Sequence, residues 1–217
     1  MRTASALMSV IALALAGCGR QALTLPDDMV GKAATCGVVA AADARAADPK
    51  NIAAALPFDR QAQIIHYALL AGAQESEFST DVASAVVKKM QDIQEDVTNS
   101  KWKALVQPCA AAFPEADIAR PVSLPSNGGE AQIGCYTLGK FMMRALAVQG
   151  SAYEKQLLAY GQLGRDLDPK VARNFDQRGI KSDEARQKTR DKELSKFTKL
   201  GSPAKVMDAC IAQFGKA

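Results

Sequence analysis

The sequence predicts an all-α protein: two tandem, similar helical bundles of about four helices each, each stapled by one disulfide. Three observations carry this expectation. The 217-residue chain is rich in Ala, Gln and Lys, has only 6% aromatic residues and lacks strand-like alternation, a composition that favours helices. Apolar residues recur at helical period, most clearly in Val82, Val86, Met90, Ile93 and Val97, spaced 4, 4, 3 and 4. The cysteines beyond Cys18 form two evenly spaced pairs, with Cys36 and Cys109 separated by 73 positions and Cys135 and Cys210 by 75.

Residues 1–17 read as a signal peptide and 18–34 as a tether, since Pro26, Asp27, Asp28 and Gly31 interrupt any apolar period. The first unit is expected over residues 35–113. Its first helix, from Ala33 to Ala47, is Ala-rich and stops before Pro49. Pro57-Phe58-Asp59 opens the second, with Asp59 as a candidate cap and Ile64, Ile65, Leu69 and Leu70 as its apolar stripe, ending near Gly72. Ser79 or Thr80 caps the third, whose polar face carries Lys88, Lys89, Asp92, Glu95 and Asp96. The fourth, Lys101 to Phe113, brings Trp102, Leu105, Val106, Cys109 and Phe113 to one side, and Pro108 is expected to kink or split it.

Residues 114–134 read as a linker, because Pro114, Pro121, Pro125, Ser126, Asn127, Gly128 and Gly129 crowd one stretch. The second unit, 135–217, follows. Helices are expected over Ala131 to Val148, Ala152 to Leu163, Pro169 to Gln177, Ser182 to Leu200 and Pro203 to Phe214, broken at Gly150, Gly164, Gly179 and Gly201. The segment Ser182 to Lys199 is densely charged, and predicts a thinly packed outer helix or a partly mobile one.

The two units resemble each other. Cys109 and Cys210 are each followed four residues later by Phe113 and Phe214, and preceded by Leu105-Val106 and Val206-Met207. Gln63-Ile64-Ile65-His66-Tyr67 with Leu70 matches Gln156-Leu157-Leu158-Ala159-Tyr160 with Leu163. Four cysteines allow three pairings. If the units are repeats, the parsimonious pairing is Cys36 with Cys109 and Cys135 with Cys210, tying the first and last helices of each unit.

Met1-Arg2 precedes an apolar run from Ala4 to Ala16, too short for the roughly 20 residues of a membrane-spanning helix. At its end, Leu15-Ala16-Gly17-Cys18 resembles the lipobox of bacterial lipoproteins. The resemblance covers residues 1–18. It implies cleavage before Cys18, a diacylglyceryl group on its thiol and an acylated amino terminus, so that the lipid chains alone hold the protein to a membrane. Gly19-Arg20 follow the cysteine without Asp, which under the sorting pattern of enteric lipoproteins implies the outer membrane, facing the periplasm. In that oxidising compartment the remaining four cysteines are expected to be paired.

Charge is uneven. From Cys36 to Phe113 there are 7 Lys/Arg against 9 Asp/Glu, a net of −2; from Cys135 to Ala217 there are 16 against 9, a net of +7. The expected partner is the membrane, reached through the anchor; the basic second unit reads first as a solvated face kept soluble by its Lys, with an envelope protein, anionic lipid or lipopolysaccharide as the candidate partners it would otherwise serve, and no nucleic acid.

Catalytic signatures are missing. His66 is the single histidine and corresponds to Ala159 in the second unit, so it reads as an ordinary helix-face residue, and no Ser-His-Asp or Cys-His arrangement is suggested. Glu75, Glu77, Asp166 and Asp168 lie near helix ends, which suits capping and solvation. Tyr67 and Tyr160 read as core residues with hydroxyls at the rim. Phe141-Met142-Met143 reads as core or as an adaptable apolar surface. No cofactor, no metal and no enzymatic activity are expected, and no ligand-binding residues can be assigned. The expected function is a non-enzymatic binding or envelope-assembly module, working through the crevice between the units or the basic second face. The alternative is a carrier or chaperone for an apolar or lipid ligand.

Overall fold

A computed structural model describes residues 23–51 and 53–215; the lipobox and Cys18 lie outside them. The described chain is all-helical, without strands. Its α-helices are α1 (Met29–Ala47), α2 (Phe58–Gly72), α3 (Thr80–Thr98), α4 (Val106–Ala112), α5 (Gly128–Ala147), α6 (Glu154–Gln177), α7 (Asp183–Thr198) and α8 (Pro203–Phe214). Among the described residues no helix is long and apolar enough to cross a membrane.

Two helices act as hubs, α1 packing along α2 and α3, and α5 along α6 and α7. Both are rich in small residues that let neighbours approach closely: Ala33, Ala34, Cys36 and Gly37 in α1, and Ala131, Gly134, Cys135 and Gly139 in α5, all buried. Disulfides tie each hub to a later helix. Cys36 is bonded to Cys109 of α4 and Cys135 to Cys210 of α8, with Cα–Cα distances of 5.3 and 5.7 Å, inside the usual range.

α2 is buried on two sides. Tyr67, Ala68, Leu70 and Ala71 enter the core built around α1, whereas Ala62, Leu69 and Ala73 enter the core built around α5. Polar bonds reinforce this junction. The Ser195 hydroxyl of α7 lies 3.2 Å from the Ala73 carbonyl and 2.8 Å from that of Glu75, the Phe78 N–H donates to the Asp191 carbonyl at 3.1 Å, and the Tyr153 hydroxyl donates to the Leu56 carbonyl at 2.8 Å.

Several boundaries differ from expectation, for identifiable reasons. α1 begins at Met29, inside the expected tether, because Asp28 accepts from the Gly31 N–H at 2.7 Å and Leu23, Leu25, Met29 and Val30 pack against the core. Asp59 does not cap α2 but sits in its first turn, where a carboxylate favours the helix dipole. The fourth segment splits ahead of Pro108: a 3₁₀ turn, Trp102–Leu105, gives way to α4, and Pro108 falls in the first turn of α4, where no intrahelical donor is needed. α5 starts at Gly128, capped by Asn127, inside the stretch 114–134 expected as a linker, so the two glycines belong to the helix.

Gly164 and Pro169 do not break α6, which runs unbroken for 24 residues. Tyr160, Leu163, Leu167, Val171 and Phe175 form one buried stripe across both positions, and Pro169 lies on the exposed side, where its ring displaces no core side chain. α7 is not uniformly thin: its last turns bury Glu193, Leu194, Ser195, Phe197 and Thr198, whereas its charged first half is partly or fully exposed throughout.

Gly134 illustrates how tightly the hub is packed. A Cβ there would lie 2.1 Å from the fully buried Phe197 ring, whereas a Cβ at Gly37 would meet the flexible end of Met90. Gly134→Ala is therefore expected to cost about 1–3 kcal/mol by overpacking. Gly37→Ala is expected to be neutral or to gain up to about 1 kcal/mol in helix propensity. Urea midpoints of the two variants measure the contrast; equal shifts would refute it.

Candidate functional site

A groove of about 600 Å³ opens between α3, α5 and α7. Each helix contributes a face at helical spacing. α5 presents Tyr136, Lys140 and Arg144 in one row and Thr137, Phe141 and Ala145 in the next; α3 presents Ala83 and Val87, and α7 presents Gln187, Arg190, Asp191 and Leu194. The groove exists because α3 packs on α1 and α2 whereas α7 packs on α5 and α2, leaving a gap above α5. Behind the groove, Phe78 in the turn after α2 meets the Phe141 ring edge-to-face at 5.6 Å.

The floor is apolar, formed by Ala83, Tyr136, Phe141 and Leu194, with Val87 on the α3 wall left 48% exposed. Three cations line the groove against one carboxylate. Lys140 Nζ lies 4.8 Å from the Tyr136 ring centre, and the Arg190 guanidinium lies 5.5 Å from that of Phe175. Among the described residues, neither Lys140 nor Arg144 has a carboxylate partner. Burial pushes the Asp191 carboxyl above its ordinary range, opposed by the Gln187 amide that donates to it at 2.9 Å. The Tyr136 hydroxyl donates to Asp168 at 2.6 Å and so holds its ring in the floor.

The residues singled out from sequence fall elsewhere, apart from Phe141. The helix face that carries His66 is an interior one: His66 is fully buried where α2 meets the end of α7, with Nε2 2.7 Å from the Thr198 carbonyl. A carbonyl only accepts, so Nε2 carries the proton, and Nδ1 is left buried without a hydrogen-bond partner. Burial is the main cause that pulls its pKa down to about 4; the Thr198 bond opposes this and Arg120 adds repulsion.

Tyr67 and Tyr160 are both buried, but the Tyr160 hydroxyl lies inside the core with no partner and not at a rim. Burial pushes Tyr67 up to about 12 and Tyr160 higher still, so neither is a phenolate source at neutral pH. Met142 is fully buried core, whereas Phe141 reaches the groove. The four carboxylates do not converge. Glu77 pairs with Lys188 at 3.1 Å, Asp168 accepts from Tyr136, Asp166 accepts from Gln162 at 3.2 Å, and the Glu75 backbone carbonyl is the atom that meets Ser195. No group of three or more His, Cys, Asp or Glu side chains among the described residues is placed to hold a metal.

Lys140, Arg144 and Arg190 carry no signature in the sequence, where each is one cation among 16 in the second half. The available signal was Lys140 and Arg144 on either side of Phe141, one turn apart on a helix whose one other charged residue is Glu130. The chain matches no protein-family model, no curated protein and no solved structure.

Proposed function

We propose that the protein is a lipid-anchored, non-enzymatic binding module of the bacterial cell envelope, held at the outer membrane facing the periplasm through acylated Cys18. The groove between α3, α5 and α7 would be its working surface. The observation that carries this reading is Lys140 and Arg144, unpaired by carboxylates, standing over an apolar floor. Cations without counter-ions beside exposed apolar surface suit recognition of an anionic, partly apolar partner. The Leu15-Ala16-Gly17-Cys18 motif and the two disulfides support the address.

We also read α1–α4 and α5–α8 as products of a tandem duplication. The supporting observations are a cysteine-bearing hub helix opening each set, a matched Tyr in the next helix, and the partner cysteine in the last.

The test has two arms. Acyl labelling of the full chain is expected to place label on the protein and to lose it with Cys18→Ser. A photo-crosslinking residue at Val87 is expected to give one discrete adduct in intact cells, whereas the same residue at Leu158, 66% exposed on α6, gives none. Adducts at both positions, or at neither, would remove the groove from the reading.

A further inference from the structure

We infer that the groove takes a single-chain anionic amphiphile, an acyl tail along the apolar floor with an anionic head held by Lys140 and Arg144. This rests on the reading of the groove as a binding site and goes beyond it by naming the ligand's chemistry.

Size separates the two kinds of occupant that charge alone would allow. An α-helix with its side chains is about 10 Å across and rises 5.4 Å per turn, so a volume of about 600 Å³ would be filled by roughly one and a half turns. A partner helix would reach the floor with a few side-chain tips only. The same volume lies within the roughly 300–1,000 Å³ of small-molecule sites. The arrangement of groups matches an amphiphile end to end. The floor, Ala83, Phe141 and Leu194, offers no charged atom to a tail. Val87 leaves apolar surface exposed on the wall, which a bound tail would cover.

The head is specified by charge. Lys140 and Arg144 are one turn apart on α5 and both line the groove, so two cations stand on one side of it. A guanidinium and an ammonium together favour a phosphate or carboxylate, which accepts from both. Asp191 is the one carboxylate lining the groove, and it is turned to its own helix by the Gln187 amide, a neighbour four residues away.

Isothermal titration of the full chain carrying Cys18→Ser, which removes the protein's own acyl groups as competitors, tests the inference with three probes. These are dodecyl phosphate below its micelle concentration, dodecyl maltoside as the same tail with a neutral head, and inorganic phosphate as a head without a tail. Dodecyl phosphate is expected to bind one to one and at least tenfold more tightly than either other probe. Lys140→Gln with Arg144→Gln is expected to weaken dodecyl phosphate at least tenfold and to leave dodecyl maltoside unchanged. Both side chains are exposed, so the fold should be retained, and Val87→Asp, which puts a carboxylate on the tail wall, provides a second variant expected to weaken dodecyl phosphate.

Equal affinity for the two dodecyl probes, no binding, or indifference to both variants would overturn the inference. In any of those cases an adduct of protein mass at Val87 in cells would leave the groove a binding surface for another partner. The lack of any adduct there would remove both readings together.

Discussion

Replacing Cys135 and Cys210 together with Ala is expected to destabilise the protein by about 4 kcal/mol, the loop-closure entropy of a cross-link spanning 75 residues. With a urea dependence of about 2–3 kcal/mol per molar for a chain of this size, the midpoint should fall by roughly 1.5–2 M. The Cys36–Cys109 pair spans 73 residues and should give a similar loss. All four cysteines are buried, so each double variant also forfeits sulfur packing, which adds to the entropic loss. The sharper expectation concerns cooperativity. Because α2 contributes side chains to both cores, removing either bridge should lower one common transition and not create two. Unfolding followed by far-ultraviolet circular dichroism and by the fluorescence of Trp102, packed against the α1 core, should coincide. Transitions that separate would show that α2 does not couple the two halves, and an unshifted midpoint would refute the entropic role of the bridge.

The second large effect is a loss of stability in mild acid through His66. Its folded pKa, about 4, lies below the ordinary 6.5, because burial strips water from the charged ring, whose Nδ1 has no hydrogen-bond partner. Above pH 6.5 neither state holds the proton. Between 6.5 and about 4 the unfolded chain binds it and the folded chain does not, so stability falls as pH falls; below about 4 this group contributes no further loss. The whole span amounts to about 3 kcal/mol, and about 2 kcal/mol of it should appear between pH 7.5 and 5. That upper window isolates His66 from Asp191 and Asp208, whose carboxyls burial pushes up and which contribute with the opposite sign at lower pH. His66→Gln keeps a donor for the Thr198 carbonyl and has nothing to titrate. It should flatten the dependence from pH 7.5 to 5. A slope surviving in that variant would assign the acid sensitivity elsewhere.

The helices were legible where a local signal was strong. Ser79 caps α3 by accepting from the Val82 N–H, Gly150, Gly179 and Gly201 adopt the positive φ that stops a helix, and α8 spans Pro203–Phe214 as the pattern suggests. Local signals misled where packing outweighed them. Gly164 and Pro169 are breakers by propensity, yet the buried stripe from Tyr160 to Phe175 holds α6 together across both. The candidate site was barely legible. His66 could be read only as a helix-face residue, because its helix carries apolar groups on more than one side and nothing local says that α7 will cover it.

What the sequence determined by itself was the helical class, the extent of most helices and the even cysteine spacing, together with the lipobox resemblance. These rest on periodicity, on backbone preferences and on covalent chemistry, all of which act over short stretches or between named pairs. Tertiary structure alone decided that α2 would serve two cores, that His66 would lose its water, and that residues 80–87, 136–145 and 187–194 would enclose a groove. Those outcomes depend on which helices lie side by side and how far apart they stand. That spacing is set by the bulk of side chains distant in sequence, such as Phe197 against Gly134 and Phe78 against Phe141, and no local pattern encodes it.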